Sequence, residues 1–473
     1  MLFFCSAKSK NKPHMRKIRH FSVRKQEKSG KFHFSPVKNF KLEAMTDAMS
    51  LSSHGGLLML RQEEEHLSLA SRLASCIRDT RVPYLVRHRL HEIIMTRIFQ
   101  ICLGYEDVND CDRMRRDPMM QLAVDTDSLD KELCSSATMC RFENMVTDED
   151  LLRIQEMFVT MFVLSYKGRA PSHIILDCDD TNVDTYGCQE LTLFNAYYDS
   201  YCYMPLMVFE GYSGKMILPL LKPGRRNKAV SFEETILWLI AILREAWPKT
   251  IITVRGDSHF CSHELMDWAT LHDRRVYFIT GLARNSVLMS HPVTVGAIER
   301  VTHDYNLFRR PVRTYGEFYY RAGTWRFPQR VVVKAEYTQM GELNVRFIVS
   351  NIRSVDKQGL YEKTYCGRGR DELFIRQFKE GVNGDRLSCH TFKANRLRIF
   401  IYAAAYFLMH SLRERALRGT RLETASILTI REKLLLCAVS VRILKSKVIL
   451  NFAKCHPMKD TLVHTLHYYS VRD

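Results

Sequence analysis

The chain has 473 residues, 46% of them apolar, which is too long for one ordinary core and rich enough to fill two or three. Its 70 Lys and Arg against 52 Asp and Glu give a formal charge of +18, which favours a polyanionic partner, because each base set on a phosphate releases condensed counterions. Fourteen cysteines without a C-x-x-C pair argue against a zinc knuckle or redox dithiol, and the longest apolar run, 399–409, is about half of the roughly 20 residues a membrane span needs.

Between Met1 and Lys41 twelve Lys or Arg stand against one acid, Glu27, so residues 1–50 are expected to form a basic N-terminal arm, either a solvated tail or a DNA contact. Leu2-Phe3-Phe4 is too short for the apolar core of a signal peptide, and the expectation is a soluble, intracellular protein. Over 57–103 apolar residues recur at helical spacing (Leu85, Leu90, Ile93, Ile94, Ile98, Ile101), which predicts a helical domain over 51–165. Within it, Ser135 to Asn144 has the pattern of a helix-turn-helix recognition element or of a plain capped helix.

From Ser172 the texture changes to strands at 174–176, 191–194, 204–209 and 216–218, followed by a helix near 231–246, a strand at 251–254, a helix near 262–271 and a strand at 276–279. The order β-β-β-α-β-α-β is that of a ribonuclease-H-like core over 166–299, although a doubly wound α/β sheet has the same periodicity. A β-rich block over 300–355, without helices, has the look of an insertion. The core then resumes over 356–415, with helical spacing from Asp371 and through Leu397 to Leu412. The C-terminal region, 416–473, is expected to be helical, with one or two amphipathic helices over 427–453. The fold class is therefore α/β: a ribonuclease-H-like catalytic core with a β-rich insertion and an N-terminal helical domain.

Three acidic stretches mark the chemistry: Leu176-Asp-Cys-Asp-Asp-Thr181, Val254-Arg-Gly-Asp-Ser-His259 and the polar segment around Glu372. Asp179 and Asp257 close β-branched runs, and Glu372 sits in a helix-compatible stretch, so two strands and a helix can bring three carboxylates together. Phosphodiester hydrolysis and strand transfer need an activated oxygen nucleophile and stabilised entering and leaving oxygens, which two Mg²⁺ (or Mn²⁺) ions roughly 4 Å apart supply. Such hard ions take oxygen ligands, which suits carboxylates better than His or Cys. Asp177 and Asp179 share a strand face; the Asp-x-Thr spacing to Thr181 favours Asp179 as the ligand, with Asp177 a supporting or structural group. Taken alone, Asp257 is also what a helix N-cap looks like.

The spacing Y-x2-R-x3-E-x6-K falls on Tyr365, Arg368, Glu372 and Lys379. With Gly104 to Asp110, Arg115 to Pro118, Arg141 to Asn144, Gln189, Leu193 to Asp199, Arg255 to Phe260 and Asp385-Arg386, it resembles the DDE transposases of bacterial insertion sequences, most closely the insertion-sequence 1380-type branch, DDE transposase group 1. The resemblance implies that Asp179, Asp257 and Glu372 are catalytic metal ligands and that Tyr365, Arg368 and Lys379 contact or position DNA. On one helix face, Arg368 and Lys379 would flank Glu372. The resemblance further implies cut-and-paste transposition: binding of terminal inverted repeats by a homo-oligomer, cleavage there, and joining to target DNA, in the cytoplasm at the bacterial nucleoid. The signature is associated with excision through a hairpin. The rival readings are a structure-specific nuclease on the same fold and a non-catalytic DNA-binding protein derived from a transposase.

Overall fold

The computed structural model describes residues 32–38, 40–46, 50–124, 131–224 and 231–470, so most of the basic arm expected over 1–50 lies outside the described residues. The chain divides between Ser50 and Leu51 into two compact units. In the first, Phe32–Val37 and Phe40–Ala44 pair as an antiparallel hairpin with exposed side chains.

The second unit is organised on a mixed sheet of eight strands: β1 (His173–Asp180), β2 (Leu206–Glu210), β3 (Met216–Leu220), β4 (Ile251–Gly256), β5 (Val276–Leu282), β6 (Val312–Tyr320), β7 (Gln329–Tyr337) and β8 (Leu343–Ser350). Their spatial order is β6-β7-β8-β5-β4-β1-β2-β3. β1, β4 and β5 run parallel, whereas β2 is antiparallel to both β1 and β3. The central strands are rich in β-branched residues and buried on both faces, as parallel strands covered by helices must be. Helices Phe232–Ala246 and His263–Leu271 lead into β4 and β5. Each is opened by a serine cap: the Ser231 hydroxyl accepts from the Glu234 amide at 3.2 Å and that of Ser262 from Leu265 at 3.2 Å.

β6, β7 and β8 form an antiparallel meander whose last strand pairs with β5, so the block continues the same sheet. It is not free of helix, contrary to expectation: Pro292–Phe308 runs into it, started by a proline in the first turn and packed on β6 and β7.

Helices Leu90–Cys102, Ser136–Met145 and Asp148–Leu164 pack on Phe392–Arg415, and all share one apolar core with the sheet. Phe392–Arg415 is buried all round, which accounts for its apolar sequence without a membrane; no helix among the described residues is long and apolar enough to cross one. Ser136–Met145 is a capped helix with its buried face on the body, where Glu143 accepts two hydrogen bonds from Arg398, at 3.0 and 2.9 Å.

The C-terminal region departs furthest from expectation. Over 427–453 only Ile427–Ile430 and a π-turn at Arg431–Leu435 are helical; Val439–Ile443 and Val448–Phe452 form a hairpin to which Leu51–Ser52 adds a third strand. Val439, Val441 and Ile443 alternate and are β-branched, a strand pattern that a count of apolar residues hides. A helix, Lys459–Tyr469, follows.

Candidate active site

β1 and β4 lie side by side with Cys178 opposite Gly256, so Asp179 and Asp257 each stand one residue beyond that pair, at neighbouring strand ends. The Asp257 carboxylate also caps the turn Ser258–Phe260, accepting from the His259 amide at 2.8 Å, so the capping reading of this residue holds. Glu372, exposed in the helix Gly369–Arg376, lines the same cleft as Asp179, Asp180 and Lys379.

Arg368 pairs with Asp179. Its Nη1 donates to Asp179 Oδ2 at 3.4 Å. Burial works against its charge, but Asp179, Tyr365, Asp257 and Glu372 together outweigh this and hold its pKa above the ordinary value. Asp179 responds in the opposite sense. Burial raises its pKa to about 6, with Asp257 and Asp180 adding to the rise and Arg368 opposing it.

Asp177 faces the same way as Asp179 but is spent on structure. It is fully buried and takes a bidentate pair from Arg255, Nε to Oδ1 at 2.5 Å and Nη2 to Oδ2 at 2.6 Å. Arg255 Nη1 also donates to the Thr364 carbonyl at 2.6 Å, tying the sheet to the segment that carries Glu372. Two glycines make room: a Cβ at Gly211 would stand 2.6 Å from Asp177 Oδ2, and one at Gly367 2.6 Å from Arg255 Nη1. Asp180 is paired with Lys222 Nζ at 2.6 and 2.8 Å. Asp179 is thus the carboxylate of the acidic run that faces Arg368 in the cleft.

The glutamate segment is not the single regular helix expected. It passes from π-turn (Leu360–Tyr365) through 3₁₀ (Cys366–Arg368) and α-helix (Gly369–Arg376) to a second π-turn (Gln377–Gly381). Lys379, in the second π-turn, lines the same cleft as Glu372. Its Nζ donates to the Asn182 carbonyl at 2.6 Å, and burial lowers its pKa, so here it positions the chain just after β1. Tyr365 is half-buried against a small apolar cluster, and a Cβ at Gly281 would meet its hydroxyl at 3.0 Å and the Ser258 amide nitrogen at 2.8 Å. Tyr365 therefore packs beside the Asp257 turn.

Sequence reasoning missed Arg255 and Asp371. The signal for Arg255 was a charged residue inside a β-branched strand, on the same face as Asp257. Asp371 shares its helix face with Ile375 and Phe378, all buried, and neither of its carboxylate oxygens has a hydrogen-bond partner among the described residues. Burial, with Asp177 and Asp179 nearby, pushes its pKa up to about 9, so it is a neutral acid at pH 7. The native state then holds a proton that the unfolded chain has released above the ordinary value of 3.8, and stability falls as pH rises from there towards about 9. Asp371→Asn should flatten this dependence, by up to about 1.4 kcal/mol per pH unit in denaturant melts between pH 5 and 8; an unchanged slope contradicts the assignment.

Among the described residues no three His, Cys, Asp or Glu side chains stand close enough to hold a metal ion without adjustment. The donor chemistry nevertheless suits a hard divalent cation: oxygen ligands only, one of them half-buried and held to a single guanidinium at 3.4 Å.

No curated protein matches the chain. Among solved structures, a cryo-EM structure of a piggyBac transposase synaptic complex with hairpin DNA is similar at 13% identity and a TM-score of 0.40, over 81% of this chain and 80% of that one. A family model described as transposase DDE domain group 1 matches residues 34–470, and the chain belongs to that family.

Proposed function

We propose that the chain is a cut-and-paste transposase of an insertion sequence, which cleaves DNA at the terminal inverted repeats and joins the freed ends to target DNA. The observation that carries the reading is the placement of Asp179 and Asp257 at adjacent strand ends, with Glu372 on a helix lining the same cleft as Asp179. The spatial order β3-β2-β1-β4-β5, with β2 alone reversed, supports a ribonuclease-H-like core extended by β6 to β8. Asp179, Asp257 and Glu372 would hold Mg²⁺ or Mn²⁺, two ions in all, which when bound activate water and stabilise the leaving oxygen. Arg368 keeps Asp179 in place and sets positive charge beside the scissile phosphate, Lys379 fixes the root of the chain after β1, and Tyr365 supports the Asp257 turn. The partners are double-stranded DNA and further copies of the chain on it. The Y-x2-R-x3-E-x6-K spacing supports the insertion-sequence 1380-type branch and a hairpin route of excision.

The test uses DNA carrying the repeats that flank the coding region, with Mg²⁺ or Mn²⁺. The purified chain should nick at the repeat ends and, given pre-cleaved ends, produce joined product. Cleavage without joining identifies a nuclease, and repeat binding without metal-dependent nicking identifies a non-catalytic binder.

A further inference from the structure

Between β1 and β2 the chain forms a small three-stranded sheet, Val183–Asp184, Ser200–Tyr203 and Leu193–Asn195, with Ser200–Tyr203 in the middle. Its composition is unusual for this protein: residues 181–203 hold five Tyr and one Phe but no Lys or Arg, in a chain with 70 basic residues. Part of it is spent on the core, with Val183, Cys202 and Tyr203 buried. The remainder of the segment leaves Tyr186 and Tyr197 each 87% exposed and Tyr201 59% exposed. Tyr197 packs edge-on to Tyr198 at 4.9 Å, and Phe194 to Tyr201 at 5.5 Å.

The frame beneath these rings is fixed. Gln189 Nε2 donates to the Leu387 and Cys389 carbonyls at 2.6 and 2.8 Å, Glu190 accepts from the Phe392 amide at 2.9 Å, and Lys379 holds Asn182. Asn195 Oδ1 accepts from the Tyr197 amide at 3.0 Å and shapes the tip. Leu191 and Asp199 sit at φ of 56° and 51°, a left-handed conformation that costs energy in residues other than glycine and persists where the surroundings fix it. Rings held out in water by such a frame meet the description of a stacking surface, since every nucleobase has a face to lay on them.

We propose that the exposed rings of this small sheet and its turns are a stacking platform for unpaired nucleobases of the DNA strand that enters the acidic site. The inference rests on the reading of that site as a DNA-cutting centre. Its occupant follows from position: Asp179 and Val183 are four residues apart, at most about 14 Å of extended chain, the rise of about four stacked nucleotides. Asp179 and Asp180 also act on the Tyr198 hydroxyl, whose pKa burial raises first and the neighbouring charges further. With no base in the segment, the platform holds bases by their faces while Arg376, in the cleft with Asp179, faces the phosphates.

The test is an anisotropy titration of the full chain, in EDTA, with a labelled single-stranded oligonucleotide. Tyr197→Ala with Tyr198→Ala should weaken binding about tenfold or more, by the same factor at 50 and 300 mM salt, since stacking involves no counterion release. Tyr197→Phe with Tyr198→Phe, which keeps the rings, should bind as the wild type does. Alanine variants that bind normally overturn the proposal, as does a phenylalanine pair as weak as the alanine pair, or a loss that vanishes at high salt. A wild-type dimer converted to monomer by the alanine pair, with DNA affinity intact, makes the rings a contact between copies and also overturns it. No cleavage is read in EDTA, so failure here leaves strand cutting standing, and a wild type unable to cut DNA with metal contradicts only the reading of the acidic site.

Discussion

Asp179→Asn is expected to lower metal-dependent DNA cleavage by more than the roughly 10–100-fold that loss of a mere outer partner costs a metal site, while DNA binding stays within about twofold. The substitution keeps the shape of the side chain and removes its charge. Asp179 is the carboxylate of its run that is not consumed elsewhere, since Asp177 is paired with Arg255 and Asp180 with Lys222. Its ionised form is costly in this chain, because burial raises its pKa to about 6. The sign follows. Between the ordinary carboxylate value and about 6 the native state holds a proton the unfolded chain has lost, so ionisation at pH 7 opposes folding. Asn at this position should therefore leave the melting temperature at pH 7 unchanged or higher. A cleavage rate within a few-fold of wild type in a well-folded Asp179→Asn protein contradicts a role for this carboxylate at the reacting phosphate.

The second large effect is on stability. Asp177→Ala should cost about 3–5 kcal/mol, because it strands the Arg255 guanidinium in a buried place without its partner. The two residues face each other directly across β1 and β4, and glycines at 211 and 367 leave the space their side chains occupy. Removing both charges is a different matter. Asp177→Leu with Arg255→Met should recover most of the loss, since an apolar pair of similar volume avoids desolvating two ions. Urea melts of the single and double variants check this. A single variant as stable as wild type shows that the pair does not hold β4 and the glutamate segment together.

Much of this arrangement was legible in the sequence, for definite reasons. The strands that end in Asp179 and Asp257 are β-branched and short, and Cys178 opposite Gly256 brings the two carboxylates together as their order suggested. Phe392–Arg415 was legible from its apolar run. The hydrogen bond of Lys379 was not. Its spacing set it near Glu372, whose cleft it lines, but its bond to the Asn182 carbonyl depends on the course of the chain after β1. The choice between Asp177 and Asp179 also needed the third dimension, because both lie on one strand face and only the position of Arg255 separates them. The C-terminal hairpin was missed because its strands alternate over only five residues each, too short to outweigh a general abundance of Lys, Arg and Leu.

The most direct measurement is Mn²⁺ binding to the full chain, followed by electron paramagnetic resonance or calorimetry, since it reads the carboxylates without depending on DNA. Wild type should bind Mn²⁺, and Asp179→Asn, Asp257→Asn and Glu372→Gln should each weaken binding at least about tenfold. Glu380→Gln, at an exposed acid of the same cleft, should not. A protein carrying all three substitutions that still binds Mn²⁺ as tightly as wild type would contradict the assignment of the metal-dependent site to Asp179, Asp257 and Glu372.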